Sequence, residues 1–452
     1  MNSYCSEILN SIENREIPPY PYAYPLRSTH RELPKNLNEY KIWEKEKQYC
    51  DDEINLYIHF PFCKYKCGFC NLYSIANTEN ELQNSYINAL CKQISNYSQI
   101  INGRKIKTIF LGGGTPMLIT EQNFLKIMET LTKVSPNWKN DIEEFCIEAS
   151  PDSIVESDKD GKLKLLIDNG IDRINLGIQS FNAKDIKTIG RDYEEDVNYK
   201  AIKILKEYNL KNISTDLIGG FNGQTEEIWV NSINEMVKLS PHTISMYCLR
   251  IRPDSRFGRE KSHSFKSNPV YYDWYDKARE ILLKNGYSQE TNVRFKIEGR
   301  GGYVQQYYQF NCKPILGIGA GARSYTNTAD YIIGGSANPK VDEIQKYIDD
   351  AENDTLKIKA GFILDDEERV RRRLVLNLYR FNIKEFRELY QDKFDWIFKE
   401  KFEVLLEQGL LDFKDDVYFL TPKGYKYRDI ISHSFFSEKV RELDKEFYEC
   451  LI

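Results

Sequence analysis

Short apolar runs alternate with longer stretches whose apolar residues recur every three or four positions, and this alternation dominates the first half of the chain. Runs at 54–59, 106–111, 145–149, 173–177, 213–218 and 243–249 have the length and the Ile, Leu, Phe and Thr content of strands. The intervening segments 79–100, 120–134, 162–169, 193–208 and 225–239 carry helical spacing. Six strands joined by five helical crossovers predict parallel pairing with right-handed connections. The pattern leaves open a doubly wound sheet or a complete or partial barrel.

Both flanks read differently. The run PPYPYAYPLRSTHREL near the N-terminus predicts an extended arm, since proline fixes φ and removes a donor, and only the charged stretch NEYKIWEKEKQYCDDE after it suits a short helix. Residues 269–337 hold a helix at 271–285, a possible strand and the glycine-rich run LGIGAGARSY. From about residue 364, helical segments at 366–379, 383–390 and 396–408 lead into a hairpin with a Thr-Pro-Lys-Gly turn. That order predicts a winged-helix-like α+β module, and its mixed charges suit a packing or lid domain better than a nucleic-acid binder. The expected division is an arm and short helix at 1–50, a barrel at 51–355 and a C-terminal module at 360–452.

Composition narrows the functional classes. The 452 residues are 41% hydrophobic and 29% charged, as in a globular protein. No apolar run reaches the ~18 residues of a membrane span, and the N-terminus lacks a basic-then-apolar leader pattern, so a cytoplasmic protein with no membrane contact is expected. The net charge of -5 and the absence of a basic stripe argue against a nucleic-acid partner. A monomer acting on a small molecule is the simplest expectation. Ten cysteines are too sparse for a disulfide scaffold, so a close cluster among them points to metal or redox chemistry.

One such cluster exists. In HFPFCKYKCGFCNLYS, Cys63, Cys67 and Cys70 follow the first predicted strand directly, at the end of a parallel sheet where sites are built. Three thiolates at this spacing can hold three irons of a [4Fe-4S] cluster and leave the fourth open. A structural zinc or an ordinary ferredoxin cluster are the alternatives, but each wants a fourth ligand. The next cysteine is Cys91, inside a predicted helix.

The x3, x2 spacing, the position after strand one and the aromatic Phe69 before the last cysteine resemble the radical S-adenosylmethionine (SAM) superfamily. The resemblance implies a partial (β/α)6-type TIM barrel in which SAM chelates the open iron and is cleaved by one electron to methionine and a 5'-deoxyadenosyl radical. It implies an external reductant such as flavodoxin or ferredoxin. Gly113, Gly114 and Thr115, after strand two, then match the contact with the SAM amino group, and Glu148, ending strand three, the contact with the ribose.

The segments NLGIQSFNAKDIKTIGRDY and STDLIGGFNGQT narrow the resemblance to the branch containing oxygen-independent coproporphyrinogen III oxidase, its heme chaperone relatives and the class C radical SAM methyltransferases. It implies that Gln179, Arg191 and Asp216 line a second SAM molecule, and that Tyr57, Phe69, Arg250 and Arg323 flank the pair. The chain departs from the oxidase at Asn71 to Tyr73, where a fourth cysteine is usual. It departs from the chaperones at YVQQYYQFNCKPILGIG, where a His-Asn-x-x-Tyr-Trp element is expected. On these departures the resemblance implies a class C methyltransferase or cyclopropanase using two SAM molecules; porphyrinogen oxidation and heme chaperoning are the alternatives. Tyr303, Tyr307, Tyr308 and Phe310 suit an aromatic wall for a flat substrate or ordinary core packing. His59 reads as a packed or hydrogen-bonded strand residue.

Overall fold

A computed structural model describes residues 3–18, 20–50, 52–76, 78–261, 268–334 and 340–449. Each of the six predicted strands forms, with ends within two residues of expectation: β1 (Glu53–Phe60), β2 (Lys105–Gly113), β3 (Glu144–Ala149), β4 (Arg173–Gln179), β5 (Asn212–Gly219) and β6 (Thr243–Cys248). They lie side by side in chain order, every neighbour parallel. Three further strands complete the sheet. β7 (Tyr287–Gln289) and β8 (Arg294–Ile297) form an antiparallel ribbon beyond β6, and β9 (Ile315–Ile318) pairs parallel with the free edge of β1. The resulting order β9-β1-β2-β3-β4-β5-β6-β8-β7 is an α/β partial barrel.

The glycine-rich run, left without an assigned state in the sequence, begins as β9, because Ile315, Leu316 and Ile318 find a buried edge beside β1. Near-continuous burial along the parallel strands shows both faces covered. The expected helices form at Asn80–Asn96, Glu121–Val134, Lys162–Asp168, Asp196–Glu207 and Glu226–Leu239. A helix at Pro151–Lys159, not anticipated, starts from a Ser150 capping box with proline at its first turn.

A second hydrophobic core gathers Val370, Leu374, Phe381, Phe386, Phe402 and Leu420 from the last ninety residues. Helices Asp366–Leu376, Ile383–Tyr390 and Lys399–Glu407 pack there with a three-stranded antiparallel sheet of Arg380–Asn382, Val417–Leu420 and Leu411–Lys414. The hairpin turn, however, is Asp415 and Asp416, at φ 52° and 61°. Short acidic side chains tolerate this left-handed pair. The Thr-Pro-Lys-Gly segment opens a helix instead, with Thr421 Oγ1 accepting from the Gly424 amide at 3.1 Å.

The arm differs from expectation in one respect. Besides the helix Glu39–Glu46, residues Ser3–Glu13 are helical. Ile8, Tyr24 and Leu26 join the C-terminal core, whereas Ile42 and Trp43 join the barrel core. Between them, Arg31 and Gly361 exchange two backbone hydrogen bonds of 2.9 and 2.8 Å.

Candidate active site

The three cysteines leave the C-terminal end of β1 on a loop held at several points. Phe62–Cys63 pairs with Ile75–Ala76, closing the loop on itself. The Gly68 amide donates to Ile189 O and the Phe257 amide to Gly68 O, both at 2.9 Å. A Cβ on Gly68 would lie 2.0 Å from the Phe257 ring, so only glycine fits that approach. Lys66 Nζ donates to Leu72 O at 2.6 Å and to Ser74 O and Oγ at 2.9 and 2.7 Å. Phe69 packs on Phe221, ring centroids 6.4 Å apart.

All three thiols are free and partly buried. Burial, then the neighbouring Cys70, pushes the Cys63 thiol up to about 11. A bound cation would reverse that shift by stabilising the thiolate. Among the described residues no three His, Cys, Asp or Glu side chains converge on a single-ion site. Three thiols on one loop, with no fourth ligand in the motif, are the donor set of a cluster with one open iron, whereas a structural zinc wants four ligands.

The glycine turn after β2 serves this loop. The Gly114 amide donates to Phe60 O at 2.7 Å and the Thr115 amide to Phe62 O at 2.8 Å, while a Cβ on Gly114 would lie 2.4 Å from Phe62 O. The Gly113 amide, at φ 116°, donates to Glu148 Oε2 at 2.8 Å. Burial outweighs that hydrogen bond and raises the Glu148 carboxyl to about 7.

Beside these strand ends a cavity of about 340 Å³ opens inside the barrel. Leu72 and Tyr73, just past Cys70, line it together with Glu148, Asn175 and Asp216. Tyr57 stacks on Phe110 there, centroids 5.9 Å apart, and its hydroxyl bonds His59 Nδ1 at 3.1 Å. His59 Nε2 lies 2.7 Å from Tyr73 O, and burial lowers this imidazole to about 4, so it is a neutral hydrogen-bonded strand residue.

Four arginines, Arg27, Arg173, Arg294 and Arg323, also line the cavity. Arg173 pairs with Glu144 at 3.3 Å and lies 4.1 Å over the Tyr303 ring; Arg294 approaches the same ring at 5.0 Å. Arg323 pairs with Asp330 at 2.9 Å, donates to Pro25 O at 2.6 Å and lies 4.4 Å over Tyr325. Buried Nε atoms of Arg173, Arg294 and Arg323, and Nη1 of Arg323, have no hydrogen-bond partner. Such donors favour an anionic ligand. Of these four only Arg323 was singled out from sequence. Arg173 had a signal, a charged residue opening the strand RINLGIQ, but nothing in the chain announces its pairing with Glu144 or its place over the ring of Tyr303, 130 positions away.

Gln179, Arg191 and Asp216 meet around Gly177. A Cβ there would lie 2.7 Å from Gln179 Nε2 and 3.4 Å from Arg191 Nη2, and Asp216 is the register partner of Gly177 on β5. Arg191 donates to Gly177 O and, at 2.9 Å, to Tyr193 Oη; Asn175 donates to Asp216 at 2.9 Å. Of the three, Asp216 lines the cavity. Arg250 points elsewhere, donating to Ile17 O at 3.2 Å and Tyr271 Oη at 2.9 Å. It joins the arm to helix Asn268–Lys284.

The parallel barrel with a three-cysteine loop after β1 defines a radical SAM protein, and a model of the radical SAM superfamily matches residues 57–236. The chain is 30% identical over 383 residues to heme chaperone HemW of Buchnera aphidicola subsp. Schizaphis graminum, covering 82% of this chain and 95% of that protein. To HemW of Bacillus subtilis it is 28% identical over 377 residues, covering 81% and 95%. Among solved structures, coproporphyrinogen III oxidase (HemN) from Escherichia coli superposes with a TM-score of 0.77 at 20% identity, over 94% of this chain and 98% of that one. The chain belongs to the radical SAM superfamily, in the family that includes its HemW relatives. The expected class C methyltransferase or cyclopropanase specificity is not supported, because the full-length similarity runs to heme chaperones. The absence of the His-Asn-x-x-Tyr-Trp element points away from them, but it is six residues against a match covering 95% of each of these two relatives.

Proposed function

We propose that Cys63, Cys67 and Cys70 hold a [4Fe-4S] cluster whose open iron takes SAM, and that the barrel cavity takes a carboxylate-bearing tetrapyrrole as substrate. The observation that carries this reading is the cavity itself. Its lining includes both the residues that follow Cys70 and buried arginines with unused donors. The names of the relatives, heme chaperone and coproporphyrinogen oxidase, agree with a ligand of that chemistry.

When bound, the cluster supplies the electron that cleaves SAM reductively. The chain's own residues do the rest. Gly68, Gly114 and Lys66 fix the cysteine loop, and Glu148 offers a carboxyl oxygen to a ligand hydroxyl. Tyr57 and Phe110 keep water from the reacting face, and the arginines fork onto carboxylates. A second SAM is proposed at Gln179, Arg191 and Asp216, supported by an arginine and a carboxylate on either side of a glycine, a pairing suited to the two ends of methionine. The division at 1–50, 51–355 and 360–452 and a flavodoxin or ferredoxin donor belong to the same proposal. Among the described residues no helix is long and apolar enough to cross a membrane.

Anaerobic reconstitution tests the reading. The wild type is expected to load about four irons per chain, to release 5'-deoxyadenosine from SAM, and to convert or bind a porphyrinogen or heme. The triple Cys→Ala protein loses the iron. Iron retained by that variant, or indifference to every tetrapyrrole offered, refutes the proposal. Heme carriage without turnover is the second reading, favoured by the HemW matches, and shows itself as stoichiometric heme uptake with no chemical change in the ring.

A further inference from the structure

Lys66 stands inside the cysteine loop, directly before Cys67, and its side chain reaches back to the stretch that follows Cys70. Nζ donates to Leu72 O at 2.6 Å, to Ser74 O at 2.9 Å and to Ser74 Oγ at 2.7 Å. An ammonium has three donors, and here all are used. None of the three oxygens carries a charge, so the ammonium is held without being neutralised. Lys64, two positions earlier, is compensated instead, by Asp152 at 3.4 Å and Glu156 at 2.7 Å.

The two residues that Lys66 grips are also the ones that face the sulfurs. The hydroxyls of Ser74 and Thr115 are hydrogen-bond partners of the Cys63 sulfur, and the Leu72 amide is a partner of the Cys70 sulfur. Ser74 is 3% exposed, so water does not compete for its hydroxyl. Because its oxygen accepts from Lys66, its proton is left for Cys63, and a charged donor behind it strengthens that bond. Burial pushes the Cys70 thiol up, and among the charges around it Lys66 pulls hardest the other way. Hydrogen bonds to the ligand sulfurs and a positive charge nearby both favour the more negative, reduced state of an iron–sulfur cluster.

We infer that Lys66 and Ser74 are positioning residues that set the reduction potential of the cluster. The ammonium fixes one donor on the Cys63 sulfur and one on the Cys70 sulfur, and leaves its own charge beside them. Its role is then electrostatic as well as mechanical. The step it eases is the entry of one electron from the reductant, in which no bond forms or breaks. The inference rests on the cluster reading of the three cysteines.

The test uses the full chain reconstituted anaerobically, with an iron assay and a dithionite titration in the presence of redox mediators, followed by electron paramagnetic resonance. Ser74→Ala keeps both carbonyl contacts of Lys66 and is expected to load as much iron as the wild type. At a fixed potential its ratio of reduced to oxidised cluster should fall about tenfold, equivalent to about 59 mV for one electron. Lys66→Met should be at least as hard to reduce, and Lys66→Arg, which keeps the charge, should return toward the wild type. Loaded Ser74→Ala and Lys66→Met proteins that reduce at the wild-type potential overturn the inference and leave the cluster reading standing. A loaded Lys66→Arg protein as hard to reduce as Lys66→Met overturns it as well. A wild-type chain that takes up no iron overturns the cluster reading itself.

Discussion

The two sides of the barrel cavity are built in opposite ways. The cysteine side comes from one short piece of chain, residues 60–76, closed by its own strand pair and seated on the glycine turn of the neighbouring strand. The arginine side has no local identity. Arg27, Arg173, Arg294 and Arg323 come from the arm, β4, β8 and the segment after β9, and the last three are held by different carboxylates, Glu144, Glu290 and Asp330. A site for a cofactor can be encoded by spacing alone, because its ligands are neighbours. A lining of scattered arginines is assembled by the fold, and its members are strangers in sequence.

That contrast is sharpest when each side is broken separately. Removing any one cysteine of the loop is expected to take cluster iron and 5'-deoxyadenosine formation to background, measured by iron assay and chromatography, with tetrapyrrole binding by the arginines retained. On the other side, Asp330 is fully buried between Arg323 at 2.9 Å and Arg372 at 2.7 Å. Asp330→Ala strands two buried cations and should cost about 3–5 kcal/mol of stability in a denaturant titration. Loss of under 1 kcal/mol would show that the pair is solvated.

Glu148 stands on the seam between the sides, facing Asp216 and Arg173, and gives a pH signature. Its carboxyl is raised from 4.5 to about 7, chiefly by burial. The folded state therefore keeps a proton that the unfolded chain releases. Stability from this group is full below about pH 4.5 and is lost as pH rises to about 7, by at most about 3 kcal/mol. Glu148→Gln keeps an acceptor for the Gly113 amide and should flatten that part of the profile. Parallel profiles for the two proteins would remove the assignment. The smallest effect is expected at Gly68. Gly68→Ala pushes against the Phe257 ring and should cost about 1–3 kcal/mol with reduced iron loading. Phe257→Leu in the same chain should restore the loading; no rescue would mean that the contact does not position the loop.

Legibility from sequence followed the same divide. The six parallel strands and the cysteine loop were readable because β-branched runs and close thiol spacing are local signals. The strand at Ile315–Ile318 was hidden by the glycines that follow it, since its state is decided by the vacant edge of β1. The helix Ser3–Glu13 was masked by the prolines after it, and its Ile8 is buried by residues from the far end of the chain. The turn at Asp415 and Asp416 lost to a more conspicuous Thr-Pro-Lys-Gly, which is a helix start. Candidates carried by resemblance scattered: Tyr57, Glu148, Asp216 and Arg323 line the barrel cavity, whereas Arg250 faces the arm.

The divided allegiance of the arm sets an order of events during biosynthesis. Helix Glu39–Glu46 can settle as soon as the barrel exists, but Ile8, Tyr24 and Leu26 wait for a core made by residues 362–440. At ribosomal speeds that is roughly 20 to 80 seconds after those residues emerge. For that interval Ile8, Tyr24 and Leu26 lack their buried surroundings, and Arg323, whose Nη2 donates to Pro25 O, lacks one of its anchors. The arginine lining of the barrel cavity is thus completed late, by the arm, once residues 362–440 have been translated.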